Sequence, residues 1–362
     1  MKITRMGVTP LSVPLDKPFT GPRQTPMRSI NPVIVHLFSD QGLDAFGISF
    51  AWNDKQVKSL IGCVEDLGEL IIGQDVNRPT EAWQKLYDAT GHMGHTGYAV
   101  YAMASIDAAI WVLRAKSLDM SLAQLLGQVR DEIPAYASHM LFRNWSIDEL
   151  QKDAAFLVEQ GFHAVKMNMG DKKFDVEIER LKAVREAVGK DVKIMVDANW
   201  AWDAGDTVRI GRKLEPYDVY WLEDPLASDD PDELASVAEA LDVPIATGET
   251  TCTKYGFRQL IVKKSADIFL VDLQAAGGIT EWMKIAGIAQ AWNIPVTSHL
   301  FHEFSVHLLA ATTNGLFLEY MPWCDKIYRE PPVVKNGCMR VPSDPGLGVE
   351  LDESAMKKYR LS

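Results

Sequence analysis

Three acidic residues, each at the end of an apolar run, lie 26 residues apart. Asp197 closes VKIMVD, Glu223 closes VYWLE, and Glu249 closes PIATGE. Such an interval corresponds to one strand, one helix and two loops of a β/α repeat. In a parallel barrel these strand ends converge on the C-terminal rim, where such barrels carry their chemistry. Three carboxylates on one rim repel each other unless a hard cation lies between them, so the spacing predicts a Mg²⁺ site.

A single acidic residue after a strand has a simpler interpretation, because acidic side chains often cap the helix that follows. That interpretation applies to any one of the three residues taken alone. Three residues at equal spacing, inside segments that all have the pattern of strand, turn and helix, favour the metal site instead.

Two more pairs of strand-end residues carry groups suited to proton transfer. Lys166 alternates with Asn168, so both side chains point to one face of a strand, towards the barrel interior or mouth. A buried lysine is costly unless it meets an anion, here a metal-bound carboxylate or the substrate. Asp272 and His299 end adjacent runs, so the carboxylate can hold one imidazole nitrogen while the other faces the site. Such a pair orients the ring and raises its basicity, as a general base requires.

The remaining strand ends and histidines are less specific. Further polar candidates on the rim are Ser138, His139, Asn199 and Glu319. Histidines that we interpret as structural, within the helix after the seventh run or at a glycine-rich turn, are His302, His307, His92 and His95. A lone histidine after a strand is more often hydrogen-bonded in the core or at the surface. Only His299, with an aspartate on the neighbouring strand, is predicted to act as a base.

The predicted secondary structure that must position these groups differs between the first part of the chain and the rest. Residues 1–130 have the pattern of a small α+β domain, with strands near 2–14, 32–39 and 44–50 and helices near 55–72, 80–90 and 97–116. Residues 131–320 contain eight short apolar runs, most of them followed by an amphipathic helix, which predicts a (β/α)8 (TIM) barrel. Residues 321–362 break this pattern and are predicted to return to the first domain.

Composition excludes several classes of partner. The net charge of −12 argues against nucleic acid and anionic membranes, which bind basic surfaces. It does not exclude a small anionic substrate, because a bound cation and a lysine reverse the local potential. The four cysteines are far apart and indicate free thiols in a reducing compartment. The first residues lack the pattern of a signal peptide, and no apolar run approaches the roughly 18 residues of a membrane span, so we expect a cytoplasmic protein.

On these motifs the chain resembles the enolase superfamily, mandelate racemase subgroup (the mandelate racemase/muconate lactonizing enzyme type). VDAN, WLEDP and ATGE resemble the motifs of its three Mg²⁺ ligands, VDLQAAGGIT and PVTSHLFHEF those of its Asp–His dyad, and LFLEY that of a glutamate on the last strand. The resemblance spans essentially the whole chain. It implies a modified (β/α)8 barrel with an N-terminal α+β capping domain, a Mg²⁺ cofactor on Asp197, Glu223 and Glu249, and catalysis by His299, Asp272, Lys166 and Glu319.

One position departs from the subgroup. Its members usually carry Lys-x-Lys on the second barrel strand, and the second lysine is a base. This chain has Lys166-Met167-Asn168. Lys166 keeps the position that contacts the substrate carboxylate, whereas Asn168 takes no proton at neutral pH. The missing second base weakens the case for a racemase, which needs proton donors on both faces of its intermediate.

Enzymes of this subgroup take a proton from the carbon next to a carboxylate, so the resemblance implies a small-molecule carboxylate substrate. If His299 accepts that proton and returns it to a departing β-hydroxyl, the reaction is dehydration of an acid sugar (aldonate or aldarate) to a 2-keto-3-deoxy acid. A protonated Glu319 would donate a hydrogen bond to the developing oxyanion. Two alternatives stay open. They are an isomerase (racemase, epimerase or cycloisomerase) of a related carboxylate, and a non-catalytic metal- or ligand-binding protein on this scaffold.

The capping domain sets specificity in this subgroup, and the substrate itself is not readable from the sequence. The predicted substrate-binding residues on the rim are Asn168, Asn199, Ser138 and His139, and the candidates in the capping domain are Thr20, Arg23, Thr25, Arg28 and Trp52. The arginines suggest a polar, dianionic substrate. We also expect the protein to be a homo-oligomer.

Overall fold

The computed structural model describes residues 1–21, 26–171 and 173–361. Its first part is an antiparallel sheet of β1 (Ile3–Pro10), β2 (Val13–Thr20), β3 (Pro26–Ser39) and β4 (Asp44–Ala51), followed by α1 (Asp54–Glu69), α2 (Pro79–Ala89), α3 (Gly97–Ser117) and α4 (Leu122–Leu126). The long strand β3 is central, because β1 and β2 pair with its two halves along one edge and β4 pairs along the other. This is the α+β architecture predicted for the capping domain.

The segment predicted as one strand near 2–14 is two strands. Pro10 has no N–H to continue the ladder, and the backbone changes partner directly after it. The Leu11 N–H donates to Pro32 O at 2.8 Å, and the Ser12 N–H donates to Tyr359 O at 2.8 Å. The C-terminal end of the chain therefore enters the first sheet at this break.

Helix α3 is buried on all sides, as its apolar composition predicts. Its backbone packs against β4 at Gly47, where a Cβ atom would lie 1.9 Å from Ser105 O. Only glycine allows this approach. Among the described helices, α3 alone is long and apolar enough to cross a membrane, but 78% of its most apolar window is buried inside the protein.

The second part of the described chain is a parallel barrel. Its strands are β5 (Glu132–Leu141), β6 (Ala164–Asn168), β7 (Lys193–Asp197), β8 (Val219–Glu223), β9 (Ile245–Thr247), β10 (Ile268–Asp272), β11 (Val296–His299) and β12 (Leu318–Tyr320). Each strand pairs in parallel with the next from β5 to β11, and β12 pairs in parallel with β5. Backbone bonds between β11 and the segment before β12, such as Leu316 N–H to Val296 O at 2.7 Å, close the ring.

Helices cover the outside of the barrel. They are α5 (Ile147–Glu159), α6 (Phe174–Val188), α7 (Ala204–Leu214), α8 (Pro231–Ala240), α9 (Thr253–Lys263), α10 (Leu273–Ala276), α11 (Ile279–Ala291) and α12 (His302–Ala310). The inward-facing residues alternate along each strand, so the lower barrel is filled by a separate apolar cluster that includes Tyr136, Trp221 and Phe317. The polar groups of the site lie on the next inward positions, towards the C-terminal ends of the strands.

The last segment contacts both parts. It contains a 3₁₀ helix (Pro322–Ile327), β13 (Val334–Lys335), β14 (Cys338–Arg340) and α13 (Glu353–Lys358). Strand β14 pairs antiparallel with the start of β5. Lys326 Nζ donates to Pro14 O at 2.8 Å and to Asp16 Oδ1 at 2.6 Å in the first sheet.

Buried hydrogen bonds hold the capping domain against the loop after β10. Trp83 Nε1 donates to Gly277 O at 2.7 Å. Asp107, on α3, accepts from the Thr280 N–H at 2.8 Å and from Thr280 Oγ1 at 2.6 Å, and so caps the start of α11 from another part of the chain. Burial raises the pKa of Asp107 to about 7. The capping domain thus fixes the segment that directly follows Asp272.

Candidate active site

Strand register brings the predicted acidic ligands to one side of the barrel rim. Asn168 is the Cα partner of Asp197, and Asp197 is the Cα partner of Glu223. Glu223 in turn pairs with Ala246, three residues before Glu249. The three carboxylates therefore follow consecutive strands at the same level of the barrel, as the 26-residue interval predicts.

The ammonium group of Lys166 balances part of the negative charge of these carboxylates. Its Nζ lies 2.5 Å from Glu223 Oε1, 2.7 Å from Glu319 Oε1 and 3.5 Å from Asp197 Oδ2. The side chain is buried, and burial alone would lower the pKa of the ammonium group, but Glu223 and Glu319 outweigh burial and raise it well above its usual value. Lys166 is therefore a fixed positive charge.

Glu319 is an acceptor in this arrangement. One carboxylate oxygen takes the Lys166 ammonium, and the other accepts the Leu300 N–H at 2.7 Å. Burial would raise the pKa of Glu319, but Lys166 and His299 outweigh it and lower the pKa to about 2. Both oxygens of Glu319 thus act as acceptors as they lie, and hydrogen-bond donation by a protonated Glu319 stays a prediction.

Asp272 and His299 form the predicted pair. They are Cα partners on β10 and β11, and His299 Nδ1 lies 2.8 Å from Asp272 Oδ2. The other oxygen of Asp272 accepts the Ala275 N–H at 2.7 Å, as the N-cap of α10. Because a carboxylate oxygen accepts and does not donate, Nδ1 of the imidazole carries the hydrogen, and Nε2 is directed away from Asp272.

His299 Nε2 meets Glu249, a contact that the sequence did not indicate. The atoms Nε2 and Oε2 are 3.2 Å apart. Burial would lower the pKa of His299, but Glu249 and the hydrogen bond to Asp272 outweigh it and raise the pKa to about 10. His299 is thus protonated in this arrangement and forms an ion pair with Glu249.

The positive charges near these carboxylates are too few to balance their negative charge. Burial raises the pKa of Glu223 to about 8 and that of the adjacent Asp224 to about 7, and it raises the pKa of Glu249 well above its usual value. Within the described residues no three acidic, histidine or cysteine side chains are arranged to hold a metal ion as they lie, and Lys166 is paired with Glu223 and His299 with Glu249. The donor set of carboxylate oxygens on adjacent strands nevertheless fits Mg²⁺.

Asn168 and Asn199 hold Asp197 from the side. Asn168 Nδ2 donates to Asp197 Oδ2 at 3.1 Å and to Asn199 Oδ1 at 3.2 Å. Asn199 donates to the same carboxylate from its backbone N–H at 2.9 Å and from Nδ2 at 3.0 Å. Arg143 Nη2 donates to Asn199 Oδ1 at 2.8 Å and so fixes which way that amide points.

These groups line a cavity of about 1030 Å³ between the barrel rim and the capping domain. The predicted residues that line it are Lys166, Asp197, Glu249, Asp272, His299, Glu319, Asn168, Asn199, Ser138, Thr20, Arg28 and Trp52. Glu223 lies behind Lys166 and is fully buried. The predicted lid residues Arg23 and Thr25 lie outside the described residues.

The prediction that His139 binds substrate is wrong. Ser138 faces the cavity, and because side chains alternate along β5, its neighbour His139 points to the outside of the barrel. There its ring packs against Phe162 and Tyr320. Burial lowers the pKa of His139 to about 4, so the ring is a neutral packing group.

Several cavity residues were missed in the sequence. They are Asn31, Gln56, Tyr101, Trp200, Gln274 and Trp323. Two of them could have been identified from the sequence. Asn31 is a single amide next to the apolar core of β3, and Gln274 follows Asp272 by two residues at a strand end. The other four stand in patterns that a surface or core position explains equally well.

Comparison with known proteins identifies two family models in the chain. The model described as "Enolase C-terminal domain-like" matches residues 149–355. The model described as "Mandelate racemase / muconate lactonizing enzyme, N-terminal domain" matches residues 6–127. Together they cover both the capping sheet with its helices and nearly all of the barrel.

Individual relatives extend over the whole chain. L-talarate/galactarate dehydratase of Salmonella typhimurium is 32% identical over 99% of this chain and 90% of its own length. D-galactarolactone cycloisomerase of Agrobacterium fabrum is 29% identical over 100% of this chain and 99% of its own length. The crystal structure of L-talarate dehydratase from Polaromonas sp. JS666, complexed with Mg and L-glucarate, is 30% identical with a TM-score of 0.91, over 100% of this chain and 98% of that chain.

Proposed function

The chain belongs to the mandelate racemase/muconate lactonizing enzyme family of the enolase superfamily, and from this premise we propose that it is a Mg²⁺-dependent acid-sugar dehydratase. The observation that carries the proposal is the pairing of Asp272 with His299 at 2.8 Å, at the cavity that also holds Lys166 and the acidic strand ends. The similarity to L-talarate/galactarate dehydratase over 99% of the chain supports it.

Asp197, Glu223 and Glu249 are the residues that would hold Mg²⁺. When bound, the ion supplies Lewis-acid polarisation of the substrate carboxylate. Among the groups that raise the pKa of His299, Glu249 is the strongest. With Glu249 engaged as a ligand, His299 Nε2 would therefore be free to accept a proton.

His299 carries out both proton transfers. Its Nε2 takes the proton from the α-carbon, and the C–H electron pair moves towards the carboxylate to give an enediolate. The β C–O bond then breaks, and the departing hydroxide takes the same proton from Nε2 and leaves as water. The enol that remains takes up a proton at the β-carbon, loses the proton of its α-hydroxyl group, and becomes the 2-keto-3-deoxy acid. Asp272 keeps the ring in the required tautomer throughout.

Lys166 stabilises the charge that this transfer creates. As the enediolate forms, negative charge grows on the carboxylate oxygens, and a fixed ammonium group within hydrogen-bond reach lowers its energy. Glu319, 2.7 Å from Lys166 Nζ, holds the ammonium in place. Because Lys166 is already surrounded by carboxylates, its position needs no rearrangement during the reaction.

The capping side of the cavity favours a diacid substrate. Arg28 and Lys55 line it, and within the described residues neither forms an ion pair. Asn31, only 2% exposed, also lines the cavity, and its Oδ1 accepts no hydrogen bond from the described residues. A polyhydroxylated chain with a second carboxylate supplies a hydroxyl donor for Asn31 and an anion for the two cations.

A cycloisomerase is the second candidate, favoured by the 29% identical relative from Agrobacterium fabrum. Its reaction class begins with the same proton abstraction, and only the fate of the enediolate differs. A non-catalytic binding protein has less support, because the dyad and the acidic strand ends are all in place. From the sequence we further propose the domain bounds at 130 and 320, a cytoplasmic location and a homo-oligomeric state.

One screen separates these possibilities. The purified protein with Mg²⁺ is incubated in D₂O with a library of mono- and diacid sugars and lactones, followed by keto-acid detection and NMR. A dehydratase forms a keto acid from at least one diacid sugar. Deuterated starting compound or a rearranged lactone without keto acid identifies an isomerase, and no exchange with any compound contradicts the proposed function.

A further inference from the structure

Gln274 lies beside the dyad but has no part in the reaction described so far. It follows Asp272 by two residues, on the short helix α10 that Asp272 caps. It is only 2% exposed, yet its side chain lines the cavity together with Asp272 and His299. Its polar atoms are therefore confined to partners in the protein or in the cavity.

The amide oxygen of Gln274 has a protein partner. Oε1 accepts the Phe50 N–H at 2.7 Å, a buried hydrogen bond between the capping domain and the barrel. A backbone N–H only donates, so the atom facing Phe50 must be the oxygen, and the orientation of the amide is settled. The NH₂ group consequently points away from Phe50.

The NH₂ group has no protein partner. Among the described residues no atom accepts a hydrogen bond from Nε2, although the side chain is almost fully buried. Buried polar groups in folded proteins are nearly always paired, and an unpaired donor in a cavity wall is a group that a ligand satisfies.

The position of this amide is rigid. The Phe50 ring stacks on Phe301 with centroids 4.8 Å apart and planes at 17°. Phe301 and the preceding Leu300 have φ values of 48° and 50°, so the loop directly after His299 is held in the left-handed region. Phe50 thus contacts the segments that follow both members of the dyad, and Gln274 is held in register with them.

We infer that Gln274 is a substrate-binding residue, whose Nε2 donates a hydrogen bond to an oxygen of the acid sugar next to the carbon that His299 deprotonates. The inference rests on the proposed function and deepens it. Through Oε1 the same side chain holds strand β4 of the capping domain against the barrel. Gln274 therefore contributes both to the position of the capping domain and to substrate binding.

Two substitutions separate these roles. Gln274→Glu keeps an oxygen acceptor for the Phe50 N–H but loses the NH₂ donor, and Gln274→Met has a similar length and loses both. We expect both variants to raise KM for the acid sugar, galactarate being the first probe, by about 30-fold, the effect of one hydrogen bond to a charged or strongly polar oxygen. Only Gln274→Met should also lower Tm. Gln290→Met, at an exposed glutamine of α11, is the matched control and should leave both quantities unchanged.

A direct binding measurement excludes effects on the chemical step. In the His299→Asn background, calorimetric titration of galactarate with Mg²⁺ present should show a loss of affinity of about 30-fold for each of the two Gln274 variants. Wild-type KM and affinity in Gln274→Glu, with lowered Tm in Gln274→Met, would show a structural tie alone and overturn the inference. A wild-type protein that dehydrates no acid sugar contradicts the proposed function, and the inference falls with it.

Discussion

His299 is the group on which the proposed proton transfers depend, and its replacement should be the most damaging single change. His299→Asn should lower kcat for dehydration and for α-proton exchange by more than about 10⁴-fold, while substrate binding survives on the metal and Lys166. Asp272→Asn keeps an oxygen for the Ala275 N–H, so it disturbs only the orientation and basicity of the ring and should cost less, roughly 10²- to 10³-fold. NMR in D₂O measures exchange and product together. Normal turnover by His299→Asn would place the base elsewhere, with Lys166 the first suspect.

An asparagine at position 168, in place of a second base, predicts which stereoisomers react. Its amide nitrogen donates to Asp197 and Asn199, so the group holds a carboxylate in place and offers no titratable proton. His299 reaches only one face of a planar enediolate. We therefore expect substrates of one configuration at the α-carbon, and no interconversion of α-epimers in D₂O. Both epimers appearing at comparable rates with the wild-type protein would mean that a second base exists, and Asn168→Ala would then show whether it lies on this side.

At the level of elements, the barrel strands were predictable and the contacts between domains were not. Each barrel strand is a short apolar run ending in a polar residue, and that local pattern alone locates Asp197, Glu223 and Glu249 at neighbouring positions. The alternation of side chains along β5 was equally available, and it excludes His139 once the inward neighbour is known to be Ser138. Sequence periodicity therefore predicts which residues lie on the rim of the barrel.

What the sequence could not indicate depends on contacts between distant segments. The bond from Phe50 to Gln274 spans 224 residues, and that from Asp107 to Thr280 spans 173. The pairing of His299 with Glu249 likewise depends on side-chain rotamers that no local pattern encodes. Such contacts follow from tertiary packing, which a one-dimensional pattern does not contain.

A buried histidine on helix α12 allows a test of the fold that does not depend on catalysis. His307 is fully buried, with Nδ1 accepting the Ala123 N–H at 3.2 Å and Nε2 donating to Leu347 O at 3.1 Å. Burial lowers the pKa of His307 from its ordinary value near 6.5 to about 4. A histidine with a depressed folded pKa destabilises the fold as the pH falls below its unfolded pKa, and the loss is complete near the folded pKa.

We therefore expect the wild-type protein to lose about 2 kcal/mol of unfolding free energy between pH 7 and pH 5 through this residue. His307→Gln lacks the titration and should show a correspondingly flatter dependence on pH, whatever its stability at pH 7. Urea unfolding at both values measures the difference. His163→Gln, at an exposed histidine, should keep the wild-type slope, and an equal slope for all three proteins would contradict a buried neutral His307.

For the whole molecule, the central feature is an acidic protein whose cavity concentrates carboxylates around two cationic side chains. Burial raises the pKa values of Glu223 and Glu249, and neighbouring carboxylates raise them further, so the cavity holds an excess of negative charge. A divalent cation in the cavity reduces that excess where it is largest. Metal binding should therefore stabilise the fold as well as enable turnover.

The last prediction follows from this balance of charge. We expect about one Mg²⁺ per chain, complete loss of turnover in excess chelator with the circular dichroism spectrum unchanged, and recovery on adding Mg²⁺. At a Mg²⁺ concentration near 100 times Kd, the free energy of unfolding should rise by about 2.7 kcal/mol. Glu223→Ala should abolish both responses, whereas Glu239→Gln, at an exposed glutamate of α8, should retain them. Full activity of Glu223→Ala in excess chelator would contradict the assignment of these carboxylates as the metal site.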